Sequence, residues 1–232
     1  MKSPKILLAD DDEELCQLLS DFLGHEGFGV ELAHDGEQAL RLAREGEYDA
    51  MILDVMLPQR SGVELLRELR RTSQLPVLML TALGEDIDRI LGLELGADDY
   101  VPKPCNPREI AARLRAILRR TRGENPNATL TDLTIGPVAL RAASRSVTAH
   151  GEPVSLTGTE FNILVALMGE AGRVVSKETL SLDVLGRPLG PFDRSIDVHI
   201  SKLRRKLGNA ADGESLIVTI HRGGYLFRVV DG

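Results

Sequence analysis

The chain has 232 residues, 43% of them hydrophobic, with no Trp and only 3% aromatics. That length allows two domains of ordinary size or one large one, each half able to build an aliphatic core. Two cysteines, Cys16 and Cys105, cannot make a disulfide framework and point to a reducing cytosol. The N-terminus lacks a signal-peptide pattern, and no apolar run approaches the ~18 residues of a membrane span. The net charge of −7 is uneven: residues 1–121 carry 15 Lys and Arg against 23 Asp and Glu, residues 122–232 carry 13 against 12. An acidic half followed by a near-neutral one suggests two different jobs. The acidic total argues weakly against nucleic-acid binding, but a local basic stripe decides that question better, because phosphate attraction is short-ranged in salt.

The first half alternates strand and helix. Short apolar runs predict strands over 5–9, 30–34, 50–53, 77–81 and 100–101. Amphipathic stretches predict helices over 14–23, 36–44, 62–71, 86–95 and 107–118; in the last, Ile110, Leu114, Ile117 and Leu118 keep helical spacing. Five βα units imply a parallel sheet covered on both faces, because parallel strands need right-handed crossovers. The polar, aperiodic TRGENPNATL then reads as a linker. LTIGPVAL, RSVTAH and EPVSL are strand-like, with turns at Gly136-Pro137 and Gly151. Thr157 and Glu160 are spaced as a capping box for a helix. Helices follow over 176–185 and 193–207, and SLIVTIHRGGYLFRVV reads as a hairpin around Gly223-Gly224. A small sheet, three helices and a terminal hairpin describe a winged helix.

The chemistry of the first half sits at strand ends. Asp10, Asp11 and Asp12 follow the first strand, Asp54 the third, Thr81 the fourth and Lys103 the fifth. In an open α/β sheet ligands bind outside the carboxyl ends of the strands, so these side chains converge at one mouth. Each has an ordinary reading alone: acidic residues cap helices, a threonine can end a strand, most lysines are solvated. Together the carboxylates repel unless a hard cation sits among them, and Mg²⁺ with oxygen ligands resolves that repulsion. Asp11 and Asp54 are expected as direct ligands, Asp10 directly or through water, with the carbonyl of Met56 beside them. Asp54 is then a candidate nucleophile that takes a phosphoryl group as an aspartyl-phosphate. Prolines on both sides of Lys103 hold its backbone, so a fixed ammonium and the Thr81 hydroxyl can bind phosphoryl oxygens.

In the helix over 193–207, Ile196, Ile200, Leu203 and Leu207 make a stripe expected to be buried. Ser195, Val198, His199, Lys202 and Lys206 fall on another, mostly polar face, and Lys202, Arg204, Arg205 and Lys206 make the C-terminal half basic. Favourable charge at a helix C-terminus is the plain alternative. Beside a winged-helix pattern, insertion into the major groove is the better reading. Ser195, Val198 and Lys202 are expected at base edges, with Arg194, His199, Arg204 and a wing residue, His221 or Arg222, at phosphates.

ILLADDD, ILDVMLP, VLMLTA and LGADDYVPKP together resemble a response-regulator receiver domain, and LTGTEF, FDRSIDVHISKLRRKL and GGYLF resemble the winged-helix effector of the OmpR/PhoB family. The resemblance covers nearly the whole chain. It implies a flavodoxin-like, doubly wound (βα)5 receiver over 1–120, a linker over 121–129 and an α+β winged-helix domain over 130–232. It further implies phosphotransfer from a sensor histidine kinase to Asp54 with Mg²⁺, Thr81 and Tyr100 as a switch pair, and Lys103 on the phosphoryl oxygens. Dimerisation is implied through the helix over 86–95, the fifth strand and the helix over 107–118, with Arg89–Glu109, Glu94–Arg115 and Asp99–Arg113 as pairs between subunits. Isolated surface pairs contribute only ~0–1 kcal/mol each, so they matter only as an ensemble. Double-stranded DNA in tandem half-sites, RNA polymerase, a cytoplasmic location and envelope-stress genes as targets are further implications. Two positions depart from the family: Cys105 stands where Phe is usual, and the wing order places His221 at a usual arginine and Arg222 at a usual glycine. A phosphohydrolase with an aspartyl nucleophile would resemble a DxD motif on the first strand, whereas Asp54 follows the third and the second half would be unexplained. A phosphorylation-independent regulator would be expected to lose part of the acidic pocket, which is complete here.

Overall fold

The computed structural model describes residues 3–81, 92–121, 131–190 and 193–229, with backbone only at 120 and 121. The chain divides into two units, Met1–Leu118 and Arg119–Gly232. The linker expected over 121–129 lies outside the described residues apart from Thr121, which ends a helix.

In the first unit five strands pair in parallel: β1 (Lys5–Ala9), β2 (Gly29–Ala33), β3 (Ala50–Asp54), β4 (Val77–Thr81) and β5 (Asp99–Pro102). Their order, β2-β1-β3-β4-β5, reverses direction between β1 and β3, the point where such sheets bind ligands. Strands β3 and β4 are buried throughout, which is why they read as unbroken apolar runs instead of alternating ones. The crossovers include α1 (Glu13–His25), α2 (Gly36–Glu45) and α3 (Gly62–Leu69), with α4 (Pro107–Thr121) closing the unit. Each of the first three has a side-chain cap. Asp12 accepts from Leu15 N, Asp35 from Gln38 N, and Ser61 with Glu64 forms a capping box. Of the helix expected over 86–95, residues 92–95 are helical and the remainder lies outside the described residues.

The second unit opens with an antiparallel four-stranded sheet: β6 (Leu133–Ile135), β7 (Val138–Arg141), β8 (Ser146–Ala149) and β9 (Glu152–Val154). His150 and Gly151 both have positive φ between β8 and β9, the backbone of a two-residue hairpin turn. Helix α5 (Gly158–Gly169) begins at the Thr157–Glu160 capping box. A two-residue strand, β10 (Val174–Val175), leads to α6 (Lys177–Leu180), and the helix expected over 176–185 changes there to a π-helical turn (Ser181–Leu185) ended by Gly186 at φ 72°. Helix α7 (Ser195–Leu207) precedes the hairpin β11 (Ile217–Ile220) and β12 (Gly224–Phe227), and β10 pairs with the free side of β12. Gly224 could carry no side chain, since a Cβ there would lie 2.1 Å from Val175 O and φ is +129°. One apolar core, including Phe161, Leu164, Ile200, Leu203 and Phe227, joins the helices to both sheets.

Candidate phosphoacceptor pocket and nucleic-acid interface

The sheet brings the strand-end residues together. Carboxylate oxygens of Asp10, Asp11 and Asp54 lie within 4.8 Å of one another. Asp10 and Asp54 are buried while Asp11 is exposed. Lys103 Nζ reaches Asp54 Oδ2 and Asp10 Oδ2, each at 2.7 Å, and so bridges β1 and β3 from β5. Its backbone is set by the ladder: Lys103 N donates to Thr81 O at 2.7 Å. Asp10 is held by its own backbone, which receives His34 Nδ1 at 3.1 Å and Cys16 Sγ at 3.4 Å on the carbonyl. Gly62 packs so closely on Asp54 that a Cβ would lie 1.9 Å from Asp54 O.

Burial raises the Asp54 carboxyl above its usual range. The Lys103 hydrogen bond opposes that shift, and the charge of Asp10 adds to it. Burial works against the Lys103 ammonium too, but its hydrogen bonds to Asp10 and Asp54 outweigh burial and raise its pKa. Burial, with Asp10 and Asp12 close by, pushes the Cys16 thiol up to about 12, so it is no nucleophile here. Three carboxylates around one ammonium leave net negative charge that a hard divalent cation fits; the cluster can bind Mg²⁺.

Thr81 is fully buried, and its Oγ1 has no hydrogen-bond partner among the described residues. Tyr100 is also buried, at 6% exposure, so its ring already lies inward in this structure. Among residues expected at a dimer face, Arg89 lies outside the described residues. Arg113 pairs with Asp99 at 2.8 Å and with Glu109 within the same chain, and Arg115 pairs with Glu26.

Helix α7 requires a correction. Ser195, Val198, His199 and Lys202, expected on the outward face, are buried. The helix is covered on two sides instead of one, so its inward arc takes in both the Ile196–Leu207 stripe and the polar stripe beside it. Lys202 Nζ lies 2.9 Å from Glu160 Oε1 and Lys206 Nζ 2.6 Å from Glu160 Oε2, on α5. Ser195 bonds to Asp193 and receives Arg187 Nη2 at 3.1 Å. The outward arc is Arg194, Asp197, Ser201, Arg204 and Arg205, spaced 3, 4, 3 and 1. Arg204 is partly committed, donating to Ile217 O and Thr219 Oγ1, each at 2.8 Å, and thereby tying the helix to β11. His221 and Arg222 stand exposed at the hairpin tip.

A five-stranded parallel receiver sheet with an acidic mouth, followed by a winged helix, defines the architecture of a response regulator. Residues 6–115 match the response regulator receiver domain, and residues 151–227 the C-terminal domain of transcriptional regulatory proteins. The chain is 51% identical over 227 residues to the transcriptional regulatory protein CpxR of Escherichia coli K12, covering 96% of this chain and 97% of that one. It is 49% identical over 222 residues to the CpxR homolog of Haemophilus influenzae, covering 95% and 97%. Among solved structures, a RitR mutant superposes with TM-score 0.77 at 27% identity, covering 99% and 100% of the two chains. DrrB of Thermotoga maritima, an OmpR/PhoB homolog, gives TM-score 0.51 at 32% identity over 97% and 98%. The chain belongs to the OmpR/PhoB family of two-component response regulators, DNA-binding regulators of transcription, and is similar to CpxR throughout its length. Among the described residues no helix is long and apolar enough to cross a membrane.

Proposed function

We propose that Asp54 accepts a phosphoryl group from a sensor histidine kinase and that this charge controls DNA binding by the second domain. The limits are a receiver over 1–120, a linker over 121–129 and an effector over 130–232. The single observation that carries the reading is Lys103 bridging Asp54 and Asp10 beside Asp11 and Thr81 at the sheet's switch point.

A carboxylate oxygen of Asp54 attacks phosphorus as the bond to the donor's leaving atom breaks. Asp10, Asp11, Asp54 and the Met56 carbonyl would hold Mg²⁺, whose charge would offset that of the transferring group. Lys103 gives its ammonium to one phosphoryl oxygen, and the Thr81 hydroxyl, without a hydrogen-bond partner among the described residues, donates to another. Moving Thr81 toward the phosphoryl group changes the packing beside Tyr100, and so the face built from strand β5 and its flanking helices. Two chains then dimerise through Arg89, Glu94, Asp99, Glu109, Arg113 and Arg115, with Arg113 and Arg115 exchanging their present intrachain partners for those of a second copy.

DNA is contacted by the outward arc of α7, Arg194, Ser201, Arg204 and Arg205, and by His221 and Arg222 on the wing, on tandem half-sites. The chain acts in the cytoplasm, self-phosphorylates and dephosphorylates, works with RNA polymerase, and controls envelope-stress genes; the similarity to a transcriptional regulatory protein supports a role in transcription. Labelling by acetyl phosphate tests the pocket. Wild type should label only with Mg²⁺, and neither Asp54→Ala nor Asp11→Ala should label. Normal stoichiometry in Asp54→Ala would overturn the assignment.

A further inference from the structure

Helix α7 is rich in cations, yet much of that charge faces inward. Lys202, Arg204, Arg205 and Lys206 follow within five residues. Lys202 and Lys206, one turn apart, reach the two oxygens of Glu160 at 2.9 and 2.6 Å, Lys206 donates as well to Ser155 O at 2.9 Å, and Arg204 bonds to the β11 strand. Glu160 itself has no exposed surface, and Thr157 N donates to its Oε2 at 2.9 Å. A capping box needs only an acceptor at this position, which glutamine supplies equally well. Two ammonium groups on one buried carboxylate exceed that need.

We infer that Glu160 is a positioning residue for DNA recognition: it withholds Lys202 and Lys206 from the phosphates, so that α7 meets DNA through Arg194, Ser201, Arg204 and Arg205. This inference rests on the DNA-binding reading above. Long lysine stems can swing an ammonium from an apolar surface to solvent once a buried carboxylate no longer holds it. Each added phosphate contact steepens the salt dependence of binding by about 0.9 in log–log slope, without regard to sequence. Loss of the Glu160 charge therefore adds affinity for any duplex and erodes discrimination between them.

The test uses the full chain and two duplexes: one selected by the wild type from a random pool, and its scrambled counterpart. For Glu160→Gln, with folding confirmed by circular dichroism, binding to the scrambled duplex should tighten. Its salt slope should steepen by about one to two, and the ratio of the two affinities should fall. Lys202→Met in the wild-type background should leave the scrambled-duplex slope where it is. An unchanged slope in folded Glu160→Gln would overturn the inference. So would a slope reduced by about one in Lys202→Met, because that lysine would already sit on a phosphate. If Glu160→Gln does not fold, the Lys202→Met slope decides alone. A wild-type chain that selects no duplex would instead overturn the DNA-binding reading itself.

Discussion

Lys103→Met and Asp54→Asn should move the stability of the receiver in opposite directions. Lys103 is the cation shared by two buried carboxylates, with 26% of its side chain exposed against 0% and 5% for Asp10 and Asp54. Removing one partner of a buried ion pair costs about 3–5 kcal/mol, because a charge is left uncompensated. Partial exposure of the lysine reduces that here to about 2–3 kcal/mol. Asp54→Asn leaves the Lys103–Asp10 pair in place and removes a carboxylate whose pKa is raised by burial. A raised carboxyl gives stability that is present at low pH and lost as pH rises through its folded value, so at about pH 7 the ionised group is a cost. The substitution should be neutral or stabilise by up to about 1 kcal/mol. Mg²⁺ at ten times its dissociation constant stabilises the folded state by about 1.4 kcal/mol, and should narrow the Lys103→Met deficit because that pocket binds it more tightly. Urea-dependent hydrogen exchange of peptides from β1 and β3, in chelator and in Mg²⁺, reports on this unit alone. A Lys103→Met protein as stable as wild type in chelator would refute the charge balance argued for the pocket.

Glu160→Gln should destabilise the second unit by roughly 3 kcal/mol near neutral pH, from the shift below. Burial alone would raise the Glu160 carboxyl, but Lys202 and Lys206 bring it down from 4.5 to about 2. A lowered carboxyl gives stability that is present above its unfolded value and lost as pH falls. The gap between variant and wild type should therefore close between 4.5 and about 2, and a pH-independent gap in urea melts would contradict this. Gly62→Ala should shift Asp54 and cost roughly 2–4 kcal/mol with weakened acetyl-phosphate labelling, since its Cβ meets backbone that cannot move aside cheaply. Arg187→Met should cost about 3 kcal/mol, because it strips the buried Asp193 of its cation and Ser195 of a donor; thermal melts unchanged by the substitution would count against it.

The pocket was legible in the sequence because each of its residues ends an apolar run, and a parallel sheet fixes which end of every strand faces the ligand. Asp10, Asp54, Thr81 and Lys103 needed no knowledge of side-chain direction to be placed at one mouth. Helix α7 was not legible in the same way. Its buried stripe, Ile196 to Leu207, follows from helical spacing, but the width of the buried arc depends on what packs beside it. Lys202 and Lys206 carry every mark of a solvated face. Glu160, more than forty residues earlier and readable there as a helix cap, draws both inward, and the Ser155 carbonyl also receives Lys206. Strand β10 has two residues and no period to detect, and the π-helical turn before Gly186 keeps the apolar pattern of an ordinary helix.

Control of DNA binding by phosphorylation at Asp54 can be tested in a single sample. The full chain is treated with acetyl phosphate and Mg²⁺, its modified residue is mapped by mass spectrometry, and its affinity for the selected duplex is measured beside an untreated aliquot. The account predicts modification at Asp54 alone and tighter binding that Asp54→Ala loses. Modification at another residue, or equal affinity with and without the phosphoryl group, would contradict it.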